Sequence, residues 1–393
     1  MRYILKFIKF ILVFACSCTV GVLIGALITV LFTENSWSDF WHKFNDVDIS
    51  RIITITAFIT LWTVVAGVLH IVFHETGHLV AGLLTGYRLV SFRIFNLTLI
   101  KKCGRYQFCN FTLNGTGGQC LMSPPDKPLN QINTRWYNLG GILANILIAT
   151  VALIAFKSHT LPLWADTLML MFAIIGFLYA LVNGLPLKLN GIGNDGYNIL
   201  HLEKTPKNKR LLCHMLRANA MIQEGIQPKD LPEELFVAED IDWSDGIQAN
   251  WQIMVVARME NLHQWEEAYD KLSEAIDAKD RILKLFYNEL AIEMVFICLV
   301  TGRTDEAQKL YTADLRKYVN TFSRTQSGKQ RIAFTAKLLL DNNPEEAQKL
   351  LCNLKERQNQ YLLQGETLMD VEIMEWLWNK HSCPDNPSFT TIQ

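Results

Sequence analysis

The stretch "HIVFHETGHLVAGLLTGY", residues 70–87, closes an apolar run that begins near residue 52 and is long enough to cross a bilayer. Three histidines and a glutamate at that depth are costly in lipid. Ionisable side chains within a span are rare and face the protein interior or a water-filled cavity, where they bind ions, relay protons or form a site. Whatever the chain folds into must therefore bring other segments against this one to hide those groups.

Three further runs can do so. Residues 8–32, "IKFILVFACSCTVGVLIGALITVLF", form a 25-residue segment that as a helix would reach about 37 Å. Arg2, Lys6 and Lys9 give it a basic start, as in a signal peptide, but the apolar core is too long and no A-x-A site follows, so it reads as a retained anchor. Residues 137–156 and 163–187 supply two more spans, making four. Loop 33–51 is acidic on balance. Loop 85–136 sets Arg88, Arg93, Lys101, Lys102, Arg105, Lys127 and Arg135 against Asp126 alone, and Lys204, Lys207, Lys209 and Arg210 follow the last span. Basic segments stay inside, which puts both termini in the cytoplasm of a multi-pass protein of the cell membrane, with the lipid bilayer as its constant partner. A net charge of -1 with no dense Lys/Arg block excludes nucleic acid as a partner.

The nine cysteines form no C-x-x-C pair, and most fall in hydrophobic patterns expected to bury reduced thiols. Cys103, Cys109 and Cys120 share one loop, where a disulfide or metal cluster is only weakly signalled.

His74 and His78, four apart, place two imidazoles on one helical face about one turn apart. Two nitrogens so spaced can hold one Zn²⁺, and Glu75 between them is placed to take a proton from an attacking water. His70 lies one turn further back on the same face, where it either supports the ligands from behind or is merely a satisfied polar residue, the second being preferred. A catalytic zinc site needs a third protein ligand and an open position. The last span ends in "NGLPLKLNGIGNDGYN", residues 183–198, too rich in Gly and Asn to stay helical. Irregular backbone at membrane depth is tolerated only inside protein or beside water, so Asp195 should face a polar pocket level with His74 and His78. A simple helix cap in the cytosol is the alternative.

These motifs together resemble the site-2 protease family of intramembrane zinc metallopeptidases (M50). Carried over by position, the resemblance implies His74, His78 and Asp195 as zinc ligands and Glu75 as general base. It makes Asn183 and Pro186 the N-x-x-P preceding the D-G. "GGILANILI", residues 140–148, is similar to the family's G-P-x-x-N segment, with Asn145 as its asparagine and Ile142 where proline is usual. The family's usual P-x-x-x-L-D-G puts the aspartate five after proline, whereas Asp195 is nine after Pro186. "LNG" at 189–191 offers only an amide, a poor zinc ligand, so Asp195 is preferred. The resemblance spans about residues 52–200. It implies a membrane substrate, a single-span protein or a peptide precursor, without naming it.

Residues 87–111 alternate apolar and polar positions and read as one or two strands. An exposed edge could hold unwound substrate by strand addition, and a plain surface hairpin fits equally. "NGTGGQ", residues 114–119, reads as a turn.

Residues 201–393 read as soluble and helical. "WEEAYDKLSEAI", "TDEAQKLYTADL" and "PEEAQKLLCNLK" recur with Ala268, Ala307 and Ala347 spaced by 39 and 40 residues, each followed four later by Leu272, Tyr311 or Leu351. The pattern resembles tetratricopeptide repeats at a longer period, which implies stacked helical hairpins and a protein partner. The tail after His381 should fray.

The expected fold is mainly α: a polytopic membrane helical bundle with a small β-hairpin insertion, then a soluble helical repeat domain. Its divisions are 1–51 (anchor and external loop), 52–200 (metalloprotease core) and 201–393 (cytosolic domain). The expected function is zinc-dependent peptide-bond hydrolysis in or near the membrane. The rival is an inactive membrane scaffold that binds partners through its repeats.

Overall fold

The computed structural model describes residues 49–102, 104–111, 116–189, 192–236 and 240–382. The anchor expected over 8–32, the loop behind it, Cys103 and the tail beyond Ser382 lie outside the described residues.

Three described helices are long and apolar enough to cross a membrane, over Thr56–Leu84, Leu129–Lys157 and Leu163–Gly184. They correspond to the second, third and fourth expected spans. We label the helices α1 (Ile49–Leu84), α2 (Thr134–Lys157) and α3 (Leu163–Gly184), and they pack mutually. Their polarity is inverted relative to a soluble bundle. Leu147, Val151 and Ile154 of α2 are exposed, while His70, Asn145, His74 and His78 are buried. That distribution suits lipid outside and a polar interior.

Close approach depends on glycine. A Cβ on Gly77 would lie 2.2 Å from the Gly140 carbonyl oxygen, and one on Gly140 would lie 2.3 Å from that of Gly77. Helices α1 and α2 thus meet backbone to backbone, a contact any larger residue would wedge open.

Between α1 and α2 the chain forms a four-stranded antiparallel sheet, β1 (Arg88–Ile94), β2 (Leu97–Lys102), β3 (Arg105–Asn110) and β4 (Gly118–Ser123), in the order β3-β2-β1-β4. This is more than the one or two strands the alternation suggested. Gly118, expected in a turn, opens β4, which lies against α1. After α3, a short hairpin of β5 (Lys188–Leu189) and β6 (Ile192–Gly193) returns the chain to α4 (Asp195–His201).

Among the described residues nine further α-helices follow: α5 (Pro206–Gln223), α6 (Gly246–Asn261), α7 (Trp265–Asp277), α8 (Lys284–Val300), α9 (Thr304–Leu310), α10 (Ala313–Phe322), α11 (Ser327–Leu339), α12 (Pro344–Arg357) and α13 (Gln364–Ser382). The recurring phrase falls on α7, α9 and α12, packed on α8, α8 and α11 respectively. Ala268, Ala307 and Ala347 are fully buried, and Leu272, Tyr311 and Leu351 are buried with them. Small-then-large packing is what the spacing predicted.

The helical half is fastened to the sheet rather than tethered beside it. Gln223 Nε2 donates to the carbonyls of Val90 on β1 (2.9 Å) and Lys101 on β2 (2.8 Å). Lys102 Nζ donates to the Asn359 carbonyl (2.7 Å), and the Gly104 N–H to Glu224 (2.7 Å). Cys213 of α5 is buried in one cluster with Tyr87, Cys120 and Met122. Cys109 and Cys120 are unbridged.

Candidate metal centre

Helical spacing on α1 brings His74 Nε2 and His78 Nε2 to 3.0 Å from each other. Asp195, the first residue of α4, puts Oδ2 3.1 Å from the first and 3.3 Å from the second. Ligands bonded to zinc at about 2.0–2.1 Å with tetrahedral angles stand about 3.3 Å apart. Two imidazoles and a carboxylate, converging at that separation from segments more than a hundred residues apart in sequence, form a donor set suited to zinc. They are the three-residue group that could hold a metal ion among the described residues. Burial raises the Asp195 pKa, but the imidazoles of His74 and His78 beside it outweigh burial and hold the carboxyl low, at about 2, which favours the ionised form a ligand needs.

The longer loop from Pro186 to Asp195 has a visible anchor. Asn194 Nδ2 donates to the carbonyls of Val182 (2.8 Å) and Leu185 (2.7 Å), while its Oδ1 accepts from the N–H of Leu187 (3.1 Å) and Tyr197 (3.0 Å). One side chain thereby ties the end of α3 to the start of α4 and caps the latter. Gly196 is needed beside it, since a Cβ there would lie 2.2 Å from the Gly184 carbonyl oxygen. Asn183 Nδ2 donates to the Tyr179 carbonyl (3.0 Å) and helps finish α3. Sequence reasoning named Asn183 and Asp195 and missed Asn194, whose N-cap position before a D-G was the available signal.

A histidine that binds metal through Nε2 must carry its proton on Nδ1, and its partner there fixes the ring. His78 Nδ1 meets the Tyr137 carbonyl at 2.8 Å. His74 Nδ1 meets the Asn145 amide at 3.2 Å, and that amide meets His70 Nδ1 at 3.0 Å. His70 Nε2 donates in turn to the Phe172 carbonyl at 2.9 Å. The amide sets Oδ1 toward His70 Nδ1 and Nδ2 toward His74 Nδ1. With His70 protonated on Nε2, a half-turn of the amide, whose two ends are interchangeable, lets its nitrogen donate to His70 Nδ1 and its oxygen accept from an Nδ1–H of His74. His70 is thus hydrogen-bonded, as expected, and through the Asn145 amide it also stands behind the His74 ring. Gly141 and Gly176 make the room: a Cβ on Gly141 would lie 2.6 Å from His74 Cε1 and from His78 Nε2, and one on Gly176 2.4 Å from His70 Cε1.

Glu75 is buried beneath β4. A Cβ on Gly118 would lie 2.6 Å from its Cγ and 2.7 Å from Oε1, and the Cys120 backbone N–H donates to the carboxylate. The strand is held there by the buried Arg93, whose guanidinium donates to the carbonyls of Phe95 (2.8 Å), Thr116 (3.3 Å) and Gly118 (3.2 Å). Arg93 and Gly118 are site-shaping residues that sequence reasoning did not single out.

A family model described as peptidase family M50 matches residues 62–321, which takes in the three expected ligands, Glu75 and part of the helical half. No curated protein and no solved structure matches the chain.

Proposed function

The chain belongs to peptidase family M50, a family of membrane zinc metalloproteases, and from that membership we propose that it is an intramembrane zinc metalloendopeptidase cutting membrane-embedded substrates near the cytoplasmic face. The observation that carries the reading is the meeting of His74, His78 and Asp195 at 3.0–3.3 Å. In this reading those three residues hold one Zn²⁺ and leave a fourth position open. Bound there, zinc supplies a Lewis acid that polarises the scissile carbonyl and acidifies the attacking water.

The remaining work belongs to the chain. Glu75, next to the ligands on α1, accepts the water proton and delivers it to the leaving amine. Asn145 and the Tyr137 carbonyl keep the two imidazoles in the tautomer that presents Nε2. A substrate helix conceals its peptide bonds and must open locally. Strand β4 is an edge of the sheet and touches Glu75 through Gly118 and Cys120, so an unwound segment added to it would lie along the base. Residues 52–200 form the catalytic membrane core in this proposal, 1–51 an anchor with its external loop, and 201–393 a cytosolic domain that engages a protein partner. The basic loops support termini on the cytoplasmic side.

The test uses detergent-purified full-length protein and a single-span membrane substrate found by comparing membrane proteomes of wild type and Glu75→Gln. Wild type should carry about one equivalent of zinc, lost in His74→Ala and in Asp195→Ala. Glu75→Gln should retain zinc and lose cleavage. Zinc unchanged in the ligand variants, or turnover surviving in Glu75→Gln, defeats the assignment. An inactive scaffold would show identical proteomes.

A further inference from the structure

The helical half contains a cavity of about 360 Å³ between α6, α8, the start of α11 and α13, closed on the sheet side by Phe111, which follows β3. Four carboxylates line it, those of Glu289, Glu293, Glu366 and Asp370, against two cations, Lys329 and Arg331. The cations are already engaged. Lys329 pairs with Glu289. Arg331 donates to Asp370 (2.7 Å), Glu293 (2.7 Å) and Glu260 (2.9 Å), and its guanidinium lies 4.0 Å from the centre of the Phe296 ring.

Negative charge is left over. Asp370 is 0% exposed, with Ser327 and Arg331 as its hydrogen-bonding neighbours, and its Oδ2 makes no close hydrogen bond of its own. Arg331 Nη1 also lacks an acceptor, although the guanidinium already meets three carboxylates through its other nitrogens. Glu366 has no hydrogen bond or ion pair among the described residues, although burial and the nearby Asp370 push its carboxyl up to about 7. A buried anion without a partner costs several kcal/mol, and proteins retain such groups mainly where something pairs with them.

Much of the rest of the wall is apolar, including Ile253, Leu285, Phe286 and Leu363, with Asn250, Gln326 and Thr367 among its polar positions. A single cationic head on an aliphatic stem matches both surfaces, since the stem lies on carbon while the head reaches the carboxylates. We propose that this cavity binds the lysine or arginine side chain of a peptide segment whose neighbouring residues are apolar. Glu366 and Glu293 receive the cationic head, with Asp370 behind them. Phe111, directly after β3, is the one lining residue from the sheet side among the described residues. This inference stands apart from the protease reading and needs no metal.

The experiment measures binding of fluorescein-labelled Ala-Phe-Xaa-Leu-Ala peptides to the full-length detergent-purified protein, with Xaa as Lys, Arg, Gln or Glu. The Lys or Arg peptide should bind at least about tenfold tighter than the Gln peptide, about 1.4 kcal/mol, and Glu366→Gln should remove most of that preference. Leu285→Gln, at the apolar wall, should weaken all four peptides alike. The Lys preference should grow as pH rises through about 7, as Glu366 ionises in the presence of Asp370 on its own helix, Lys329 on α11 and Glu289 and Glu293 on α8. Equal binding of the Lys and Gln peptides overturns the proposal, as does no binding of the Lys peptide at about 1 mM. Free n-butylamine or cadaverine binding as tightly as the Lys peptide overturns the peptide assignment.

Discussion

The His70 ring meets the Asn145 amide at 3.0 Å, and both residues are completely buried in the membrane bundle. Through that amide His70 acts on His74, which it does not bond directly. Partners of this kind typically contribute 10–100-fold to metal affinity. Asn145→Ala should therefore weaken zinc binding by about that factor, and His70→Ala by less, because the amide would keep one of its two bonds. Chelator competition on purified protein reads both. Zinc affinity unchanged in Asn145→Ala would mean that the ring is fixed by packing alone.

Gly141→Ala should abolish zinc binding without removing a ligand. The added methyl would stand 2.6 Å from atoms of both imidazoles, closer than any relaxed carbon contact, and overpacking of this kind costs about 1–3 kcal/mol. The expected result is a folded, helical protein that has lost its zinc, measured by circular dichroism beside metal analysis. Retained stoichiometric zinc would show that the rings can turn without losing their convergence.

Gln223→Ala should loosen the sheet. Its amide nitrogen satisfies two strand carbonyls, those of Val90 and Lys101, and a buried acceptor left without its donor costs about 1–3 kcal/mol. Hydrogen exchange should quicken in β1 and β2 while α2 and α3 keep their protection. Unaltered exchange in both strands would show that the clasp on the sheet lies elsewhere, at Lys102 and Glu224.

Glu366 gives the helical half a pH dependence of definite sign. Its carboxyl is pushed up to about 7, first by burial and then by Asp370. Between about pH 5 and 7 the folded form keeps a proton that the unfolded chain has released, so stability falls as pH rises through that window. Glu366→Gln should flatten the dependence and gain about 2–3 kcal/mol at pH 8 relative to wild type. Melting of the full-length protein at a series of pH values checks this. Parallel wild-type and variant curves would exclude Glu366 as the source.

Much of the candidate metal centre could be read in the sequence because its determinants are local. His74 and His78 are fixed by helical spacing, and Asp195 stands out in a Gly- and Asn-rich segment that ends one helix and starts another. The three described spans follow from length and hydropathy. The spacing of Ala268, Ala307 and Ala347 gave the packed helical pairs. What stayed hidden is defined by distant partners. Strand β4, "GQCLMS", has little alternation of its own, and its place depends on Arg93 and on contact with Glu75. Gln223 resembles any polar residue on an amphipathic helix until the strand carbonyls it serves are known. The acids around Arg331 come from α6, α8 and α13, and no spacing within one helix could collect them.

The contact between Gly77 and Gly140 also bears on how a substrate would arrive under the proposed function. Two backbones in touch close the seam between α1 and α2 beside Glu75. On that proposal a polypeptide coming sideways out of the lipid enters from another flank, and β4, which pairs on one side only among the described strands, is where it would meet main chain to grip.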